Sequence, residues 1–174
     1  SGEQMVCPLA RLGATDGSSF VGAVRNLRVV NRALTAKEIG RAAGLDIPDN
    51  LAEGARVTAS ASDNAHGFTA GLAADGKPDT RWSSAPTAAE QWLQLDLGAA
   101  KPFNTVAVAC PKTYRVEASD DGQAWRALGE GEGREGLTEL RVPETTARHV
   151  RLILSKPATS WGYSAWEIEL LNRR

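Results

Sequence analysis

In AWEIELL, near the end of the chain, Trp166, Ile168 and Leu170 alternate with Glu167 and Glu169. That period of two is the mark of a half-buried strand. Short segments of the same kind recur through the second part of the chain: ARVTASA, QWLQLDLG, NTVAVAC, TYRVEASD, WRALGE, TELRVP and RHVRLIL, each bounded by turn residues. Many short strands with turns between them predict an all-β sandwich or barrel. The sharpest turn signal is SDDG at 119–122, an Asp-Gly hairpin between TYRVEA and QAWRAL. GEGEGREG at 129–136 reads as a charged solvent loop, and nothing after Asn50 has a helical stretch of core length.

The pattern before IPDN, at 47–50, is different. ARLGA and FVGAVRNLRVV, separated by the polar turn TDGSS, read as neighbouring strands, and NRALTAKEIGRAAG reads as a short helix. Thr35 suits its N-cap, Glu38 three residues on completes a capping box, and Gly44 suits its stop. Two strands and a helix bury little by themselves. Residues 1–46 are therefore expected to be docked on the main domain, 47–174, or to be the end of another domain.

At 174 residues the chain is long enough for one full domain and an appendage. The net charge of −1, with both signs interspersed, lacks the basic face that nucleic acid requires and the polybasic surface that anionic lipid attracts. Neither is an expected partner. No apolar run approaches the roughly 20 residues that span a bilayer. No signal peptide is visible, which leaves a cytosolic chain or an excised piece of a larger one. Cys7 and Cys110 are compatible with one disulfide or with two thiols.

Five blocks, ADGKPDTRWSS, QWLQLDLG, YRVEASDDGQAW, ARHVRLIL and WGYSAWEIELL, follow one another from about residue 50 to 171. In order and spacing they resemble the discoidin, or coagulation factor C-type, family, and in particular its bacterial carbohydrate-binding branch, the family 32 modules. The resemblance implies an all-β, jelly-roll-like β-sandwich of the galactose-binding-domain type, with a ligand site in the loops at one end. It also implies a secreted bacterial protein. FVGAVRNLRVVNRALTAKEI resembles the closing strand and helix of a concanavalin A-like (laminin-G-like) sandwich. Residues 1–46 then become the C-terminal fragment of such a domain, and other domains of a multidomain parent become expected partners.

Two sets of residues carry candidate chemistry. The loop ADGKPDT offers carboxylates, a hydroxyl and carbonyls within a few residues, the hard oxygens that calcium collects in sets of roughly six to eight. The same stretch also makes a tight turn before a buried Trp82. The resemblance implies a structural Ca2+ held by Asp75, Thr80 and Glu167, with the carbonyls of Leu72, Lys77 and Trp166. Lys77 stands where many relatives have Asn or Asp.

The second set begins with Trp161 and Tyr163, a pair of large rings on a loop, flanking Gly162, which lets backbone approach something closely. A ring beside water can cover the C–H face of a sugar while planar hydrogen-bonding side chains read its hydroxyl rim. The resemblance places an aromatic of this loop in the ligand site. SDNAHGF at 62–68 adds His66, Asn64 and Phe68 beside Asp63, a donor, acceptor and ring set suited to sugar. Glu90 in SSAPTAAEQ reads as a surface residue. Lys112 tips CPKTY, a short loop where related modules carry a longer one. His149 in RHVRLIL reads as a strand-surface histidine.

A glycosidase would need two carboxylates facing each other about 5 to 9.5 Å apart. The acids here sit in turns, in the calcium loop, or along the glycine-rich stretch, and neither histidine has an evident nucleophile beside it. The sequence thus predicts a non-catalytic module that targets a glycan-active enzyme to polysaccharide or glycoconjugate. A discoidin-type adhesion module for a protein or lipid partner is the alternative.

Overall fold

The computed structural model describes residues 34, 36–86, 89–109, 112–134, 136–157 and 160–173. The chain divides into two units, Ser1–Leu45 and Asp46–Arg174. In the first, helix α1 runs Ala36–Ala42. It ends as its glycine dictates: Gly44 takes φ 77°, its N–H donates to the Arg41 carbonyl, and the Leu45 N–H donates to Gly40. These are the paired bonds of a Schellman stop, which only a left-handed residue completes cheaply. The two expected N-terminal strands, the Thr35 cap and both cysteines lie outside the described residues.

The second unit has eight strands among its described residues: β1 Arg56–Ala59, β2 Trp82–Ser83, β3 Gln91–Ala109, β4 Thr113–Ser119, β5 Arg126–Glu132, β6 Leu137–Lys156, β7 Ser164–Ala165 and β8 Glu167–Leu171. All pairings are antiparallel. One six-stranded sheet, in the order β1-β3-β6-β4-β5 with β8 also on β3, folds over at the bends of its two long strands, and β2 pairs with β7 in a separate two-stranded sheet. One layer runs β1, the first half of β3, the second half of β6, β4, β5, and the other joins β8, the second half of β3 and the first half of β6. The result is the expected β-sandwich, with Leu93, Leu95, Phe103, Leu152 and Ile168 buried in its core.

Two features of this sandwich depart from the sequence reading. QWLQLDLG and NTVAVA are one strand, β3, as TELRVP and RHVRLIL are one strand, β6. The residues between them bend the strands without ending them. The β3–β6 register shifts between Asp96 and Lys101 and again between Phe103 and Thr105, and such bulges turn a ladder through a corner. Gly129 and Gly131 belong to strand: β5 continues to Glu132. The Tyr114 ring lies across Gly131, where a Cβ would stand 2.5 Å from the ring's Cζ.

The SDDG turn also differs in detail. Between β4 and β5 the chain wraps around Asp121, whose Oδ1 accepts from the Gln123 N–H at 2.8 Å, the Ala124 N–H at 2.9 Å and the Ser119 hydroxyl at 3.0 Å. A carboxylate that collects amides in this way stabilises a loop longer than a two-residue hairpin. His149 is tucked under that loop, 12% exposed, with its ring against Gly122. It is not the open surface residue expected.

Strand pairing decides where the loops go. Ala59 faces Leu93, Gln91 faces Leu154, and Thr113 faces Lys156. In the other sheet Ala109 faces both Leu137 and Glu167. β3 ends at Ala109 and β4 begins at Thr113, so these two sets of strand ends are the same end of the sandwich. Loop 60–68 and the described residues 84–86, 89–90, 112, 157 and 160–163 lie at that end.

Candidate functional site

The short strand β2 organises this end. Trp82 pairs with Ala165 and Ser83 with Ser164. The Trp82 ring is fully buried, and its indole N–H is shared by the Ala61 carbonyl and the Ser62 hydroxyl, both at 3.0 Å. The Asp63 N–H donates to the Ser83 carbonyl at 2.8 Å, and the Ser83 hydroxyl donates to the Tyr163 carbonyl at 3.1 Å. Ser84 clamps Tyr163 from both directions: its N–H donates to the Tyr163 carbonyl at 2.9 Å, and its hydroxyl accepts the Tyr163 N–H at 3.0 Å. Nothing in the sequence marks Ser83 or Ser84 for this work.

Gly162 does allow a close approach, but the partner is protein. At φ 96° it packs so tightly against loop 84–85 that a Cβ would stand 2.7 Å from the Ala85 carbonyl oxygen. Around it the two rings part. Trp161 is 77% exposed, whereas Tyr163 is 1% exposed and its hydroxyl is buried without a hydrogen-bond partner. Burial, and next the negative charge of Glu90, push the Tyr163 phenol above its ordinary range. Tyr163 therefore offers no ring face to a ligand, because the backbone clamp turns it into the core.

In loop 60–68, His66 and Asn64 are exposed on a single 3-10 turn, Asn64–His66. The His66 Nδ1 lies 2.8 and 2.9 Å from the two Asp63 carboxylate oxygens. Phe68 is half-buried, and the Arg81 guanidinium occupies one of its faces at 4.4 Å from the centroid. The same guanidinium is 5.1 Å from the Trp166 ring. Lys112 is exposed at this end, with its carbonyl accepting the Gly133 N–H at 3.2 Å.

The residues proposed for calcium are partly assembled. The Thr80 hydroxyl is directed between Asp75 Oδ1 at 2.8 Å and the Lys77 carbonyl at 3.2 Å, and the Lys77 N–H donates to Asp75 Oδ1 at 3.1 Å. The Lys77 ammonium, largely exposed, is 3.9 Å from Asp75 Oδ2. Leu72 lies in the adjoining turn Ala70–Ala73, and Trp166 immediately precedes Glu167 at the start of β8. Both Glu167 carboxylate oxygens are buried and neither makes a hydrogen bond of ordinary geometry. Burial first, then the charges of Asp75, Glu169 and Glu53, push this carboxyl up to about 8; the nearby Gly76 amide offsets that only weakly. A buried carboxylate without a donor is costly until a proton or a cation answers its charge. Among the described residues no three His, Cys, Asp or Glu side chains converge on a point. Any cation here would need hydroxyl and carbonyl oxygens to complete its shell.

An antiparallel sandwich whose exposed chemistry sits on loops at one end is the architecture expected of a discoidin-like module. The chain belongs to the F5/8 type C domain family, whose model matches residues 56–168. Among solved structures, chitosan-binding module 1 of a chitosanase/glucanase from Paenibacillus sp. IK-5 is 32% identical, with a TM-score of 0.66 over 71% of this chain and 99% of that one. Module 2 of that enzyme, solved in complex with chitotriose, is 28% identical, with a TM-score of 0.65 over 71% of this chain and 100% of that one. CpGH89CBM32-5 from Clostridium perfringens, in complex with GalNAc-β-1,3-galactose, shares the fold at 24% identity and a TM-score of 0.65, over 71% of this chain and 99% of that one. No curated protein matches the chain.

Proposed function

We propose that this module binds carbohydrate at the loop end of the sandwich and targets a secreted bacterial glycan-active enzyme to its polymer. The observation that carries the reading is Trp161: a large ring, 77% exposed, on a loop whose next residue is locked against Ser84 and Ala85. A ring held at the surface by its own backbone stacks on a sugar face with little further ordering cost. His66, held by Asp63, Asn64 and Lys112 supply donors around the rim, and Glu90 supplies an acceptor. The carboxylates of Asp63 and Glu90 also suit a protonated amino sugar, which agrees with the chitosan-binding modules among the similar structures.

The calcium reading belongs to the same proposal, and the residues present fit it. Asp75, Thr80 and Glu167, with the carbonyls of Leu72, Lys77 and Trp166, would hold the ion. Bound there, it would supply the positive charge that the buried Glu167 carboxylate lacks. The Lys77 side chain reaches water and can leave Asp75 to the metal.

Calorimetry with chitotriose tests the carbohydrate reading. The wild type is expected to bind at mM to µM strength, as a shallow single site does. Trp161→Ala is expected to weaken binding roughly tenfold, about 1.4 kcal/mol. Equal affinities for both proteins, or binding to anionic liposomes in place of any glycan, would sink it.

A further inference from the structure

We infer that Arg81 links the calcium loop to the ligand loop, so that calcium sets the order, and hence the affinity, of the carbohydrate site; this rests on the function proposed above. Arg81 follows Thr80, whose hydroxyl is bound to Asp75. Its guanidinium is stacked on two rings, 4.4 Å from Phe68 and 5.1 Å from Trp166. Trp166 is the residue before Glu167. Phe68 closes the ligand loop: it bridges to Asp63, which holds His66.

The Arg81 Nε is buried with no hydrogen-bond partner, so ring faces hold this end of the guanidinium in place. Its position therefore follows the two rings. Fixing Thr80 and Glu167 on one cation fixes the residues on both sides of Arg81, and with them the surface on which Phe68 rests. Where one ligand orders what a second must also order, each strengthens the other by the same factor.

Hydrogen exchange by mass spectrometry, with and without calcium chloride, tests the link in the wild type, Arg81→Ala and Arg81→Lys. In the wild type calcium is expected to slow exchange at 72–80 and also at 61–68. In both variants the protection of 72–80 should remain and that of 61–68 should be lost. Lysine keeps the charge but not the planar surface that stacks on two rings, so a purely electrostatic or bulk structural role would leave Arg81→Lys coupled. Calcium should tighten chitotriose binding by the wild type roughly fivefold and leave the variants unchanged. Equal protection of 61–68 in all three proteins, or protection of 72–80 alone in the wild type, overturns the link. No protection at 72–80 overturns the calcium reading and the link together. Intact coupling in exchange without chitotriose binding upholds Arg81 as the link and overturns only the choice of ligand.

Discussion

Trp161 and Tyr163 lie two residues apart, and their environments follow from which side of the Ser84 clamp each one faces. Tyr163 contributes a ring to the core and a hydroxyl that finds no partner there. Removing a buried, unpaired hydroxyl is nearly neutral or stabilising. Tyr163→Phe is therefore expected to keep or raise the stability read from urea titrations, by up to about 1 kcal/mol, and to leave chitotriose affinity unchanged by calorimetry; a loss of affinity would return Tyr163 to the site. Gly162→Ala is the opposite case. It places a side chain at φ 96° and 2.7 Å from the Ala85 carbonyl oxygen. We expect a loss of about 1–3 kcal/mol in denaturant titrations and weaker glycan binding as the Trp161 loop shifts. The ring pair and its glycine were legible in the sequence. Their division into one inward and one outward ring was not, because it depends on two serines some eighty positions away.

At the scale of elements, the bend between the halves of β3 is fastened by Asp96. Its carboxylate accepts from the Arg148 Nε at 2.7 Å and Nη2 at 2.8 Å, and from the Gly98 N–H at 2.9 Å. The Arg148 guanidinium, and next the Gly98 amide, hold this carboxyl well below the usual carboxylate range. The native state thus binds fewer protons here than the unfolded chain does. Asp96 contributes stability above the ordinary carboxyl value of 3.8 and loses that contribution as pH falls below it. Asp96→Asn should be modestly less stable at neutral pH, since solvent and salt screen a pair this exposed. Its stability should also fall less steeply below about pH 4; urea midpoints measured across that range check both. Period-2 alternation located the strand segments well. It does not show that GAAKP and PETTA are corners, because a bend and an end use the same glycine and proline chemistry.

For the whole molecule, residues 72–80 and the start of β8 meet only in the folded chain, so the calcium ion proposed to be shared by them would stabilise the native state alone. At about a hundredfold its Kd, such a ligand adds about 2.7 kcal/mol, roughly 5–10 °C in Tm for a domain of this size. Calcium should raise Tm by that order and EDTA should reverse it, with Glu167→Gln abolishing the response. A thermal scan that EDTA leaves unmoved would remove the metal from the account.

Local chemistry was sufficient to determine the all-β class, the family resemblance, the oxygen-rich loop at 72–80 and the aromatic loop before the last strand, since periodicity, turn residues and composition act over a few neighbouring positions. Only the tertiary structure decided that Trp161 faces out while Tyr163 is core, that the Glu167 carboxylate is buried near Asp75, and that Arg81 lies against both Phe68 and Trp166. These are contacts between distant segments. Strand register and close packing create them, and the residues in them carry no local signal of where their partners will be.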